Sequence, residues 1–248
     1  MLRRLTLCML ASAAALGLSS APAFAGSFSV TPVRVELDAG SQAGAVTLRN
    51  QQDAPVVVQA EVVLWTQVDG EDRLTPTQDL LVSPAVFTLP AEGKQLVRVA
   101  LQRPVDPARE LSYRLILTEV PRQAEAGFTG LNVTLRLSLP VFVEATAPAP
   151  AKLEWSVRGD GPGRLMVTAR NDGASHARVL SFNVMPAEGT GPTAADTTPT
   201  YILPGQARTW MLEYNQNDGI AAAEGRRLRL KGLTEAGDFE VVVSPGAG

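Results

Sequence analysis

Three arginines are placed where they could bind an anion. Arg34, Arg114 and Arg136 each lie inside a segment in which apolar and polar residues alternate. A cation in such a segment usually lies on the solvated face of a strand. Arginines on neighbouring strands could instead line a cleft and hold a carboxylate through paired hydrogen bonds. The residues alone leave both interpretations open.

The residues predict no catalytic or metal site. His176 is the only histidine of the chain and follows a turn, with no carboxylate or thiol close to it in sequence. We therefore predict a solvated loop residue, because a metal site generally needs several His, Cys or acidic ligands. A Ser-His-Asp arrangement stays open, although no Gly-x-Ser-x-Gly sequence is present. The glycine-rich segment 159–163 precedes no helical pattern, which favours a turn over a phosphate-binding loop. We expect that the protein is not an enzyme and that it binds neither a cofactor nor a nucleotide.

The first 25 residues have the pattern of an export signal. Arg3 and Arg4 precede an apolar run over 5–18, and Ala23-Phe24-Ala25 fits a small-x-small cleavage site. The apolar run is shorter than the ~20 residues that span a membrane. We predict a removable signal peptide at 1–25, and an exported protein that is not embedded in the membrane.

The charge and the length of the remaining chain restrict its function and organisation. The formal net charge is −3, and the predicted signal holds two arginines and no acid, so the exported chain carries −5. This argues against nucleic acid as a partner. Cys8, the single cysteine, lies inside the signal, so no disulfide is available. Residues 26–248 are enough for two domains of ordinary size.

Short alternating or apolar segments separated by turn residues predict an all-β fold. Seven predicted strands in the first half suit an immunoglobulin-like sandwich, and they fall at 28–37, 45–50, 56–65, 86–89, 95–101, 112–120 and 131–143. Asp69-Gly70 is a two-residue hairpin signal. The Ala/Pro-rich segment 147–151 predicts a stiff linker between a first domain at 26–146 and a smaller β-sandwich at 152–248. Residues 189–200 are expected to form a mobile loop.

The segment 131–143 alternates without interruption and is longer than an average strand. Its candidate binding side chains are the apolar residues at odd positions, namely Leu131, Val133, Leu135, Leu137, Leu139 and Val141. These side chains pack either into the core of the protein itself or against a partner that adds a strand. In the second case the alternation fixes the register, because a slip by one residue reverses the two faces.

Five segments in order resemble the periplasmic chaperones of pilus assembly, over most of 28–245. They are 30–37 with Arg34, Ser83-Pro84-Ala85-Val86-Phe87-Thr88-Leu89, Gly93-Lys94-Gln95-Leu96-Val97-Arg98-Val99, 110–121 and the alternating segment 131–143. The resemblance implies two immunoglobulin-like domains in an L-shape, located in the periplasm. It implies pilus or fimbrial subunits and an outer-membrane usher as partners. The strand 131–143 would complete a subunit that lacks one strand, by donor-strand complementation.

The sequence departs from that family at one position of its basic pair. In the commonest branch an Arg on the first strand and a Lys on the long strand hold the C-terminal carboxylate of the subunit. Arg34 matches the Arg, but Pro140 stands at the Lys position. Tyr113-Arg114 and Leu139-Pro140-Val141-Phe142 resemble a divergent, archaic-type branch of the family more closely. We predict that Arg114 supplies the missing charge, assisted by Arg34 or Arg136. We expect 123–130 to be a loop that orders on subunit binding. The alternative is an exported two-domain surface or adhesin component whose long strand is core.

Overall fold

A computed structural model describes residues 28–121, 133–188, 194–214 and 227–245. Within these ranges every regular element is a β-strand, so the predicted all-β fold is confirmed. The strands form four sheets that enclose two separate cores.

The first sandwich contains ten strands in its described part. In chain order they are β1 (Phe28–Thr31), β2 (Val35–Leu37), β3 (Ala43–Asn50), β4 (Val56–Val68), β5 (Glu71–Pro76), β6 (Leu80–Ser83), β7 (Val86–Leu89), β8 (Lys94–Leu101), β9 (Leu111–Glu119) and β10 (Arg136–Val143). One sheet has the order β1-β3-β8-β6, and the other has the order β2-β10-β9-β4-β5, with β7 also paired to β4. Alternate apolar residues of both sheets meet in the core between them.

Two predicted strands of this sandwich differ from the structure. The segment 28–37 is not one strand, since β1 pairs with β3 in one sheet and β2 pairs with β10 in the other. Pro32 falls between the two pieces, and its missing N–H prevents an uninterrupted ladder. The segment 131–143 forms a strand only from Arg136 onward, and Val133 to Leu135 have no strand assignment. Leu131 and the predicted loop 123–130 lie outside the described residues.

The second sandwich is built from eight described strands. They are β11 (Leu153–Gly159), β12 (Arg164–Asn171), β13 (Ala177–Pro186), β14 (Ala194–Asp196), β15 (Thr200–Ile202), β16 (Ala207–Glu213), β17 (Leu228–Thr234) and β18 (Gly237–Val243). The sheet β11-β12-β16 faces the sheet β14-β13-β17-β18, in which β13 also pairs with β15. The strand β14 lies inside the predicted loop 189–200, so the loop prediction was wrong for 194–196. The glycine-rich segment 159–163 is the turn between β11 and β12.

A small aromatic cluster joins the two sandwiches. Trp65 of β4 and Phe142 of β10 pack against Tyr201 and Leu203 of the second sandwich. The Gln67 side chain donates to the Tyr201 carbonyl at 3.0 Å and accepts from the Leu203 amide at 3.0 Å. These contacts place β15 over the outer face of the sheet that contains β10, and the two sandwiches enclose a cleft there.

Candidate functional site

The strand β10 has an open edge at its beginning. Its antiparallel partner β9 pairs with all eight residues, whereas β2 pairs with Val141, Phe142 and Val143 alone. No other strand of the described chain occupies the β2 side of residues 136–140. The hydrogen-bonding groups on that side are therefore free to accept a further strand.

The peptide groups at this edge can be assigned from the ladder. The Leu135 carbonyl accepts from the Glu119 amide on the β9 side, and the Glu144 amide donates to the Leu37 carbonyl on the β2 side. Because successive residues of a strand direct their peptide groups to opposite sides, the even-numbered residues face the open edge. Arg136 and Ser138 offer both N–H and C=O groups there. Pro140 offers only a carbonyl, so Ser138 is the last residue with a free N–H on this edge.

The candidate binding side chains divide into two groups. Leu139 and Val141 are 8% and 0% exposed and belong to the core of the first sandwich. Leu135 and Leu137 are half-buried, and Val133 is 63% exposed. The apolar surface that remains for a partner therefore lies at the beginning of the segment, beside the open edge.

Two of the three candidate arginines flank Pro140. Arg114 is the direct partner of Pro140 across the β9–β10 ladder. Arg34 precedes Val35, which pairs with Val141, so the parallel register places Arg34 next to Pro140 on the other side. The position without a charge on β10 is thus bordered by an arginine on each side, at the end of the open edge.

The guanidinium of Arg114 lies over an aromatic ring. Its guanidinium carbon is 3.6 Å from the ring centroid of Trp65 and 5.7 Å from that of Tyr201. Burial lowers the pKa of Arg114, and the nearby charge of Asp72 opposes this effect in part. The arginine lines a cavity of about 200 Å³ beneath β15. Stacking fixes the position of the guanidinium while its N–H groups stay available for an acceptor.

Arg34 is already paired with two carboxylates. Its Nη1 is 2.6 Å from Glu235 Oε1 of the second sandwich, and its Nε is 2.9 Å from Glu36 Oε1. Burial lowers the pKa of Arg34, but the hydrogen bond to Glu235 and the charges of both acids outweigh it and raise the pKa overall. The Arg34 side chain stays 28% exposed. Its surroundings show that this guanidinium binds carboxylates.

Arg136 is set apart from the other two arginines. It lies four residues before Pro140, which is about 13 Å along a strand. Its side chain is 62% exposed and only 4.0 Å from Glu61 at its nearest approach. The structure therefore places Arg34 and Arg114 on the two sides of Pro140 and leaves Arg136 at the opposite end of the open edge.

The interpretation of His176 as a solvated loop residue was wrong. Its Nδ1 is 2.9 Å from both carboxylate oxygens of Glu110 in the first sandwich, and its side chain is 14% exposed. The imidazole stacks on Phe142 with 3.7 Å between ring centroids. Glu110 precedes it by 66 residues, so sequence proximity gave no sign of the pair. His176 is a contact between the two sandwiches.

Sequence reasoning also missed the aromatic lining of the cleft. Trp65, Phe142 and Tyr201 all touch one another, with ring centroids 5.5 to 6.0 Å apart. Phe142 could have been noticed, because it is a large apolar residue at an even position of the alternating segment. Tyr201 comes from the second sandwich and carries no comparable signal.

The described residues contain no group of three or more His, Cys, Asp or Glu arranged to hold a metal ion. They also contain no helix long and apolar enough to cross a membrane.

Comparison with known sequences identifies the first sandwich. The family of pili and flagellar-assembly chaperones, described by the PapD N-terminal domain, matches residues 27–149. The chain belongs to this chaperone family. The resemblance inferred from the five sequence segments is therefore confirmed. No curated protein sequence matches this chain.

Solved structures share the fold of the chaperone. One is the CsuC–CsuE chaperone–tip adhesion subunit pre-assembly complex from archaic chaperone-usher Csu pili of Acinetobacter baumannii, with a TM-score of 0.65 at 20% identity over 90% of this chain and 100% of that chain. The SafA pilin–SafB chaperone complex of Salmonella enterica gives a TM-score of 0.59 at 21% identity, over 88% of this chain and 97% of that chain. The E. coli chaperone DraB gives a TM-score of 0.54 at 20% identity, over 87% of this chain and 96% of that chain. These likenesses confirm the two immunoglobulin-like sandwiches.

Proposed function

We propose that the chaperone binds pilus subunits in the periplasm by pairing the open edge of β10 with a strand of the subunit. A subunit strand would pair with the free peptide groups of Arg136 and Ser138. The apolar side chains of Val133, Leu135 and Leu137 would enter the exposed groove of the subunit. Each would contribute about 1–2 kcal/mol before the costs of association, because none is fully exposed in the free chaperone. Leu131, Leu139 and Val141 complete the alternating segment, the last two from within the core of the chaperone.

The position of β2 limits how far an added strand could extend along β10. The added strand and β2 would lie on the same side of β10, one after the other, so the added strand ends where β2 begins. Arg34 stands at that junction, and Arg114 lies across Pro140 from it. A C-terminal carboxylate at this point would meet both guanidiniums if the strand ran parallel to β10. This arrangement carries the proposal, with Arg34 and Arg114 as the anchor.

The remaining expectations belong to the same proposal. We infer that residues 1–25 are a signal peptide, that 26–146 and 152–248 are the two domains around a linker at 147–151, and that the chaperone delivers its subunit to an outer-membrane usher. We also infer that it is not an enzyme and needs no cofactor. Two observations support the archaic-type branch. Arg114 lies beside Pro140, where the commonest branch has a lysine, and the fold is similar to that of a complex from archaic pili.

Co-expression with a pilus subunit from the same operon tests the proposal. A soluble one-to-one complex is expected, whereas the subunit alone should aggregate. The same preparation with Arg34→Ala should lose the complex and keep the thermal melting of the free chaperone. If the subunit stays soluble without the chaperone and the two never co-elute, the chain is instead an exported structural component with β10 as ordinary core.

A further inference from the structure

A large groove continues from Arg34 into the second sandwich. It has a volume of about 570 Å³, and it runs from Arg34 and Glu36 to β11, the start of β13 and the β17–β18 hairpin. This volume lies within the range of ordinary ligand pockets. The anchor for a carboxylate therefore opens directly into a cavity large enough to take amino-acid side chains.

One wall of the groove is aromatic. Trp155 of β11 and Phe239 of β18 stack with 4.8 Å between ring centroids and 13° between ring planes. In the described chain β11 and β18 are edge strands of different sheets, so no strand bridges the gap between them. Both rings are half-buried, and Leu153 and Val241 extend the apolar surface. An apolar side chain entering the groove would find partners there.

The acids of the groove are already paired. Glu36 and Glu235 both contact Arg34, and Glu240 lies 3.5 Å from Arg229. Among the described residues the Nε of Arg178, another lining residue, is shielded from solvent without a hydrogen-bond partner. If the Glu235 carboxylate left Arg34, the groove would hold an unoccupied guanidinium N–H beside an apolar wall. That combination fits a carboxylate attached to an apolar side chain.

We propose that this groove recognises the last residue of the bound polypeptide. The C-terminal carboxylate replaces Glu235 on Arg34 Nη1, and the side chain of the same residue lies against Trp155 and Phe239. Glu235 thus occupies the carboxylate position in the free chaperone and competes with the incoming chain end. The inference rests on the proposed function and adds the chemistry of the terminus to it: an apolar residue, aromatic or aliphatic, with a free carboxylate.

Three nine-residue peptides test the groove in the exported chain, residues 26–248. All alternate valine and serine; one ends in phenylalanine with a free carboxylate, one in phenylalanine amide, and one in serine with a free carboxylate. Fluorescence anisotropy measures their dissociation constants. The first peptide should bind about tenfold more tightly than either of the others, since each of them lacks one of the two contacts.

Matched variants separate the two contacts. Glu235→Gln should tighten binding of the carboxylate peptides about three- to tenfold and leave the amide peptide unchanged. Glu240→Gln is the control, because Glu240 lines the same groove but pairs with Arg229. Phe239→Ala should abolish the preference for phenylalanine over serine, whereas Val242→Ala, on the exposed side of β18, should keep it. Thermal melting reports whether each variant is folded.

The outcomes distinguish this inference from the proposed function. Binding of all three peptides with equal affinity would leave β10 as a docking edge and refute recognition of the terminus. A Glu235→Gln variant with the same affinity ratio between acid and amide would refute the competition. If none of the peptides binds and no subunit complex forms, the proposed function fails as well.

Discussion

Arg114 stands directly across the β9–β10 ladder from Pro140. Proline cannot supply the positive charge or the amide proton that a carboxylate would need at this position. The guanidinium one strand away is held over the Trp65 ring, on the face that the second sandwich covers. The positive charge that Pro140 lacks is present on the neighbouring strand β9, and Arg34 borders Pro140 on its other side.

This relationship predicts a rescue. Arg114→Ala should abolish co-purification of the subunit, because one of two charge-assisted contacts to the carboxylate is lost, at a cost of about 1.5–3 kcal/mol or at least tenfold in affinity. Adding Pro140→Lys to that variant should restore most of the binding, since the new ammonium would stand between the positions of the two arginines. Affinity of the purified subunit, measured by titration calorimetry, checks both steps.

The control for this pair is Arg136→Ala, at the other end of the open edge. It should change subunit affinity less than Arg114→Ala, because its guanidinium is exposed and about 13 Å from Pro140. If Arg136→Ala removes binding while Arg114→Ala keeps it, the anchor has been assigned to the wrong arginine.

The free peptide groups of β10 predict that Ser138→Pro weakens binding about tenfold or more. The Ser138 N–H faces the open edge, so its loss removes a hydrogen bond to the subunit and none to β9. Ser138→Ala keeps the N–H and should bind as the unaltered chain does. Subunit affinity and the melting temperature of the free chaperone are measured together. Equal affinity of the two variants would mean that no strand is added at this edge.

The local features of the fold could be predicted from the sequence. Asp69-Gly70 forms the expected two-residue hairpin between β4 and β5, with φ values of 52° and 78° at the two turn residues. Those values suit a type I′ turn, which these residue types favour. Turn chemistry and the two-residue period act over a few residues, so a single sequence contains them in full.

The use of the alternating segment could not be predicted in the same way. Val133 and Val141 follow the same pattern, yet one is 63% exposed and the other is completely buried. Core packing and strand donation require the same alternation, and only the start of β2 at Val35, the partner of Val141, decides where one gives way to the other. The contacts of the cleft are also invisible in sequence, since Arg34 and Glu235 are 201 residues apart.

The exposed start of the alternating segment predicts that Val133→Ser weakens subunit binding without loss of stability. The Val133 side chain is largely in water in the free chaperone, so its replacement costs the fold little. Its burial in the subunit contributes about 1–2 kcal/mol, which corresponds to a five- to thirtyfold loss of affinity. Val242→Ser, at an exposed valine of β18, is the control. Unchanged affinity in Val133→Ser would show that the subunit pairs only with residues after 135.

The contact between Glu110 and His176 predicts a stability effect that is separate from subunit binding. Glu110→Ala removes the acceptor of both the His176 ring and the His176 amide, and the Glu110 side chain is only 6% exposed. Buried donors left without acceptors cost about 1–3 kcal/mol, so the urea midpoint should fall. Glu144→Ala, at an exposed acid in the small cavity that Glu110 and His176 also line, should change the free energy of unfolding by no more than about 0.5 kcal/mol. The double variant with His176→Ala should show a coupling of about 0.5–3 kcal/mol. Additive effects of the two replacements would mean that the pair does not hold the sandwiches together.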